Sequence, residues 1–275
     1  MLAAKAWLNK LNSAFEINFA SSGASATVNM WDSWTIATPA IGTQLSNGAA
    51  NVQTALTLTS RSATMAVLPH QRNASYARPE AMASGAKQAA SDLLAAFQNL
   101  VVAALKSASA GLSITLPAGY IDFVIPSAAT NPDMVNNCVA SVMRLLEFVR
   151  ANVGGDWRDE DAWILGNPTS VARFKASALG GQFKGYLDRG TDGQATFDGV
   201  PIYSLAGAAN FGGASNETLF VGYKTGVAAK FDEPFVHGGG WRDTEDGGRA
   251  WTLISTLAYG VVETEFIGEI VNPGS

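Results

Sequence analysis

Ala162-Trp163-Ile164-Leu165-Gly166-Asn167-Pro168 is the stretch on which the fold turns. Its apolar, aromatic start reads as a strand, and Gly166-Asn167-Pro168 carries the chain into a helix expected from Pro168 to about Ser177. Upstream, a helix opens with Asn131 as N-cap, Pro132 at its first position and Asp133 facing the positive helix end. It continues through Val135, Cys138, Val139, Val142, Leu145, Leu146 and Val149. Downstream, Gly185-Tyr186-Leu187 leads into a loop. Phe197-Asp198-Gly199-Val200-Pro201-Ile202 follows, then Leu219-Phe220-Val221-Gly222-Tyr223-Lys224-Thr225-Gly226, and structure rich in strand extends to Pro273.

Further out, the chain divides into recognisable pieces. Residues 1–27 read as an arm in which Trp7, Leu8, Leu11 and Phe15 fall at helical spacing, a short helix that docks on something else. Residues 28–78 read as an extended loop built as a protruding two-stranded hairpin, with Asn47-Gly48 as a turn signal. From Pro79 to about Ala108 an apolar face repeats through Ala86, Ala90, Leu93, Phe97, Leu100, Val101 and Ala104, a spine helix about 40 Å long at ~1.5 Å per residue. Ile114 to Ile125 reads as a strand pair around Pro117-Ala118-Gly119. The run from Ala250 to Val262 is apolar at nearly every residue, so it is either a strand buried on both faces or partly helical.

Composition limits the function. The chain has 275 residues, enough for two subdomains, and only 15% of them are charged, against roughly 25% in ordinary soluble domains. A free monomer so poor in charge tends to associate, and interface cores are depleted in charge. Extensive subunit contact is therefore expected. The single Cys138 excludes an internal disulfide, and two distant histidines, His70 and His237, make a His- or Cys-rich metal site improbable. No uninterrupted apolar run reaches the ~18 residues of a membrane span, and the N-terminus lacks a secretion core, so a soluble protein of cytoplasmic origin is expected.

Charge is unevenly placed. Residues 1–132 hold seven basic and five acidic groups, residues 133–275 eleven and eighteen. No acid occurs between Asp32 and Glu80, a stretch that carries Arg61, Arg72, Arg78 and His70. Read blandly this is a solvated hairpin. Read as a contact, it is a basic arm laid across an acidic neighbour, where opposite potentials fix register. Two clusters offer the acid: Asp156, Asp159, Glu160 and Asp161, or Asp243, Glu245 and Asp246. Trp7 and these residues are the candidate inter-subunit contacts.

Enzyme-like motifs are present but sparse. Ser84-Gly-Ala-Lys87 and Lys224-Thr225-Gly226 match two motifs of serine β-lactamases and penicillin-binding proteins. The intervening Ser-x-Asn or Tyr-x-Asn is missing, and the C-terminus reads as strands where that family ends in a helix. Asp188, Asp192 and Asp198 lie near glycines but lack the ligand spacing of an EF-hand, and Gly238-Gly239-Gly240 is not followed by Gly-Lys-Ser/Thr. No catalytic residue, metal ligand or cofactor is expected. The net charge of −5, without a basic stripe, does not favour sequence-specific nucleic-acid recognition.

Taken in order, Asn167-Pro168 before a helix, Gly185-Tyr186-Leu187, Gly199-Val200-Pro201 and Phe220-Val221-Gly222 resemble the shell-forming half of tailed-bacteriophage major capsid proteins. The resemblance extends over nearly the whole chain. It implies an α+β fold with an N-terminal arm (1–27), an extended loop (28–78), a peripheral domain with the spine helix (79–130, with part of the C-terminal strands) and an axial domain (131–275, whose last strands return to the peripheral domain). By resemblance, the protein self-assembles as pentamers and hexamers into an icosahedral shell around double-stranded DNA, which it touches only weakly and without sequence preference. The implied location is the virion, assembled in the host cytoplasm. A portal is an implied partner, and a separate scaffolding protein is expected because the chain begins at Met1 without a long helical, charged leader. The shell is held by non-covalent contact or by a separate cement protein. No membrane is involved. Some members of the family join their shells through a lysine of the extended loop; here no lysine occurs between Lys10 and Lys87, so that bond is not expected. An encapsulin-like nanocompartment is the alternative.

Overall fold

The computed structural model describes residues 7–11, 17–19, 25–31, 51–67, 79–108, 110–115, 137–180, 184–189, 194–205, 217–231, 235–236, 242–243 and 249–272. Two seven-stranded sheets and three longer helices organise these residues. The strands that decide the architecture are β5 (Ala162–Gly166) and β9 (Glu217–Tyr223), which pair antiparallel at the centre of one sheet. That sheet runs, from edge to edge, β4 (Leu112–Thr115), β14 (Ile267–Asn272), β9, β5, β8 (Val200–Ser204), β7 (Ala195–Phe197) and β6 (Leu187–Arg189).

Every residue of β5 is buried because both faces of this sheet are covered, and successive side chains point to opposite faces. Ala162 and Ile164, with Leu219, Val221 and Ile270, face the helices α3 (Asn137–Val153) and α4 (Pro168–Gly180). Trp163 and Leu165, with Phe220 and Tyr203, face a second core shared with α2 (Pro79–Ser107), β10 (Val227–Phe231) and β13 (Arg249–Val261). The α2 helix therefore matches the spine predicted from periodicity, and α4 runs slightly past the expected Ser177.

The other sheet is ordered β1 (Ile17–Phe19), β2 (Ser25–Trp31), β3 (Asn51–Val67), β13, β10, with β11 (Phe235–Val236) and β12 (Arg242–Asp243) also paired to β13. The loop hairpin is thus not a free two-stranded ribbon. Its second strand, β3, pairs with β13 from Val67↔Arg249 to Thr57↔Tyr259, because the 17-residue β3 and the C-terminal strand expose complementary backbone edges. The hairpin itself begins at Ser25 on β2, and its Asn47-Gly48 turn lies outside the described residues.

β13 is a strand throughout, and it is not buried on both faces along its length. Trp251, Leu253 and Leu257 are buried on the α2 side, where Leu93, Ala86, Ala89 and Ala90 of the helix meet the first two. On the opposite face Thr252 and Thr256 stay partly exposed and share hydroxyl contacts with Thr64 and Ser60, each at 3.2 Å. Threonine at those positions explains the difference: β-branched residues satisfy strand propensity without requiring a covering layer. At one end only, Ala258 joins Ala26, Val28, Leu56 and Ala228 in a small buried cluster. The β4 strand pairs parallel with β14, while the turn at Pro117-Ala118-Gly119 and the helix start at Asn131-Pro132-Asp133 lie outside the described residues.

Candidate assembly surfaces

The resemblance motifs acquire physical reasons first, since they hold the surfaces in place. Asn167 is the N-cap of α4: its Oδ1 accepts the backbone N–H of Ser170 at 2.6 Å, its own carbonyl accepts Val171 N–H at 3.0 Å, and Pro168 takes the first helical position. Gly222 stands opposite Trp163 across β9 and β5. A Cβ there would overlap the indole, 2.6 Å from Cη2 and closer still to Cζ2. Asp198-Gly199, with φ of 51° and 79°, closes the two-residue turn between β7 and β8 in which Phe197 faces Val200. This pair is hairpin chemistry. Tyr186 sits before that hairpin; its carbonyl accepts Asp198 N–H at 2.8 Å, and the residue is 42% exposed.

Between α3 and β5 the acidic segment forms two 3₁₀ turns, Gly154–Asp156 and Asp159–Asp161. The chain already uses half of this charge. Arg150, at the end of α3, pairs with Glu147 at 2.7 Å and with Asp159 and Asp198 at 3.5 Å each, and it lies 5.0 Å from the Trp157 ring. Trp157 donates its Nε1–H to Asp159 at 2.6 Å and stacks on Tyr223 at 5.4 Å. Lys224 binds Asp161 at 2.5 Å. Burial, and then the Asp161 carboxylate, push the Tyr223 phenol up, and its hydroxyl donates to the Asp156 carbonyl at 2.8 Å. Asp156 and Glu160 remain exposed. Sequence reading found the acids but did not assign Arg150, Trp157, Tyr223 and Lys224 as their partners; of these, Arg150 carried a local signal, in the last turn of a helix.

Arg61 is exposed on β3 opposite Ser255, as a contact residue must be. Arg72, Arg78, Glu245 and Asp246 lie outside the described residues, and Asp243 is placed only by its backbone pairing with Arg249 on the same sheet as Arg61. Trp7 is placed differently from its expectation as an inter-subunit contact. It lies in a helical turn, α1 (residues 7–11), is fully buried within its own subunit, and meets Trp163 edge-on at 5.7 Å. The apolar stripe of Trp7, Leu8 and Leu11 found its partner in the same chain, in the core shared by the two sheets.

Nothing in this geometry assembles a catalytic centre from the enzyme-like motifs. Ser84 and Lys87 are exposed on α2, and Lys224-Thr225-Gly226 is a 3₁₀ turn whose lysine is held by Asp161. Among the described residues no group of three or more His, Cys, Asp or Glu could hold a metal ion. The segment Ser84–Ser107 is long and apolar enough to cross a membrane, but its Leu93, Phe97, Val101 and Leu105 are buried in the protein's own core.

No family model and no curated protein matches the chain. Solved structures do. The chain is similar to the capsid structure of the cyanophage P-SCSP1u, at a TM-score of 0.59 and 14% identity over 94% of this chain and 86% of that one. It is also similar to a virus-like particle from Pyrococcus furiosus, at a TM-score of 0.54 and 14% identity over 98% and 96%. A third match is the holo-SrpI encapsulin complex from Synechococcus elongatus PCC 7942, at 0.52 and 8% over 81% and 77%. The fold is the shell fold shared by tailed-phage capsids and encapsulins.

Proposed function

We propose that this chain is a shell subunit, the major capsid protein of a tailed phage, which assembles as pentamers and hexamers into an icosahedral container for double-stranded DNA. The observation that carries the reading is likeness along nearly the whole length of both chains to the cyanophage capsid. The low charge content of 15% supports it, since a subunit that hides much of its surface against copies of itself needs few solvating groups. The protein acts through its surfaces and is not an enzyme. A portal and a separate scaffolding protein are the expected partners, and the shell is held by non-covalent contact or by a cement protein; assembly takes place in the host cytoplasm and the product is the virion.

In this reading the extended loop reaches over a neighbour, with Arg61, Arg72 and Arg78 directed at acid on the next subunit. The cluster at 156–161 is the better receiver. Asp243 shares the Arg61 sheet, whereas Asp156 and Glu160 are exposed on the two 3₁₀ turns that lead into the other sheet. Electron microscopy of the protein expressed with its scaffold tests the proposal: closed round shells are expected. Monomers alone at high concentration, or a catalytic turnover, would overturn it. Nuclease-protected DNA in purified particles supports the phage capsid, and a protein cargo in its place would favour the encapsulin-like alternative.

A further inference from the structure

The geometry points to α1 as a releasable staple between the two sheets, gripped by Trp7 and Lys10. Its apolar residues Trp7, Leu8 and Leu11 enter a core that contains Trp163, Leu165, Tyr203 and Phe220 from one sheet. The same core takes Val227, Ala229 and Leu257 from the other sheet and Phe97 and Val101 from α2. Trp7, Leu8 and Leu11 therefore enter a core to which α3 and α4, among the described residues, contribute no side chain.

The grip is incomplete in two ways. The indole N–H groups of Trp7 and Trp163 are both buried and find no acceptor among the described residues. A buried donor without a partner costs about 1–3 kcal/mol, so the docked state forgoes part of what its apolar contacts gain. The second defect is Lys10. Its Nζ donates to the carbonyl of Glu160 and, at 3.1 Å, to that of Ala162, and it stands 5.5 Å from the centre of the Tyr203 ring. Among the described residues, Asp161 and Glu160 on the 3₁₀ turn favour the ammonium, and Lys224 on the turn after β9 opposes it. Asp161 already binds Lys224, so its charge is shared.

Burial outweighs these neighbours and pushes the Lys10 ammonium down from 10.5 to about 8. The undocked lysine therefore binds more protons than the docked one between those two values. Docking then strengthens as the pH climbs through that window and is weakest below about pH 8. Since the amine keeps some contact with solvent, the docking constant should rise several-fold, at most about tenfold, between pH 7 and pH 9. A neutral amine still donates to both carbonyls, so deprotonation removes the desolvation cost without removing the contacts.

A nitroxide attached to Cys at position 9 (Asn9→Cys in a Cys138→Ser background) reports α1 directly, because Asn9 is the exposed residue of the turn. In the full-length chain the mobile fraction of the label should fall several-fold from pH 7 to pH 9. With Lys10→Gln the mobile fraction should no longer vary with pH, whatever its level. With Lys10→Arg, which stays charged, it should hold its neutral-pH value through pH 9. Label mobility independent of pH in the chain that retains Lys10, or a pH dependence unchanged by Lys10→Gln, overturns the inference. The measurement does not require assembled particles, so it stands or fails separately from the shell reading.

Discussion

Gly222 and Trp163 illustrate how one small residue secures one large one. The two face each other across β9 and β5, and Trp163 is fully buried, so its ring has nowhere to move. Replacing Gly222 by Ala should cost about 1–3 kcal/mol through overpacking, seen as a lower denaturant midpoint of the full-length chain. An unchanged midpoint would show that the indole can shift. Asn167 offers a second case. As a buried cap it should lose about 1–2 kcal/mol on change to Ala, while Asp, which keeps the acceptor, should retain most of the stability. Equal losses for the two variants would remove the cap from the explanation. Both residues were visible in the sequence as members of short motifs. Their reasons were not, because a glycine's use depends on which side chain stands opposite, and strand register is not written locally.

The turn between β7 and β8 and the long β13 show what an element's pattern does and does not reveal. Asp198-Gly199 is the strongest kind of short hairpin signal, and the positive φ at both residues follows from it. Gly199→Ala should cost about 1–2 kcal/mol for the left-handed backbone, with its new Cβ also 3.0 Å from the Asp159 carboxylate. Thermal denaturation would measure this, and a neutral outcome would mean that the turn relaxes to another type. The sequence around β13 was ambiguous for a different reason. A continuous apolar run contains no period, so only its partners, α2 on one face and a row of hydroxyls on the other, decide which side is core. The spine helix posed no such problem, because its apolar face repeats for many turns.

For the molecule as a whole, the charge ledger supplies the predictions. Arg61→Glu should leave the folded subunit's stability within about 0.5 kcal/mol, as for an exposed site, yet reduce shell formation. Glu160→Lys on the neighbour should partly restore it. Assembly that is unaffected by the single change, as judged by sedimentation, would exclude Arg61 from the contact. With no lysine between Lys10 and Lys87, mature particles should run as 28.7 kDa monomers on denaturing gels, and a ladder that survives boiling would contradict this. About half of the charged site was legible in advance. The acids at 156–161 stand together in sequence, but the cations that neutralise two of them come from α3 and from the turn after β9.

By itself the sequence determined the spine helix, the central strand that leads into α4, the order that resembles a capsid shell, and the shortage of charge that points to association. These depend on residues close together along the chain, where spacing, capping and composition act directly. Only the tertiary structure decided that Trp7 belongs to its own subunit, that β3 lies against β13, and that Asp159 and Asp161 are already paired. Each of those outcomes is a contact between residues far apart in sequence. An apolar stripe, an open strand edge or a carboxylate states only that it needs a partner, and chain folding selects which one it receives.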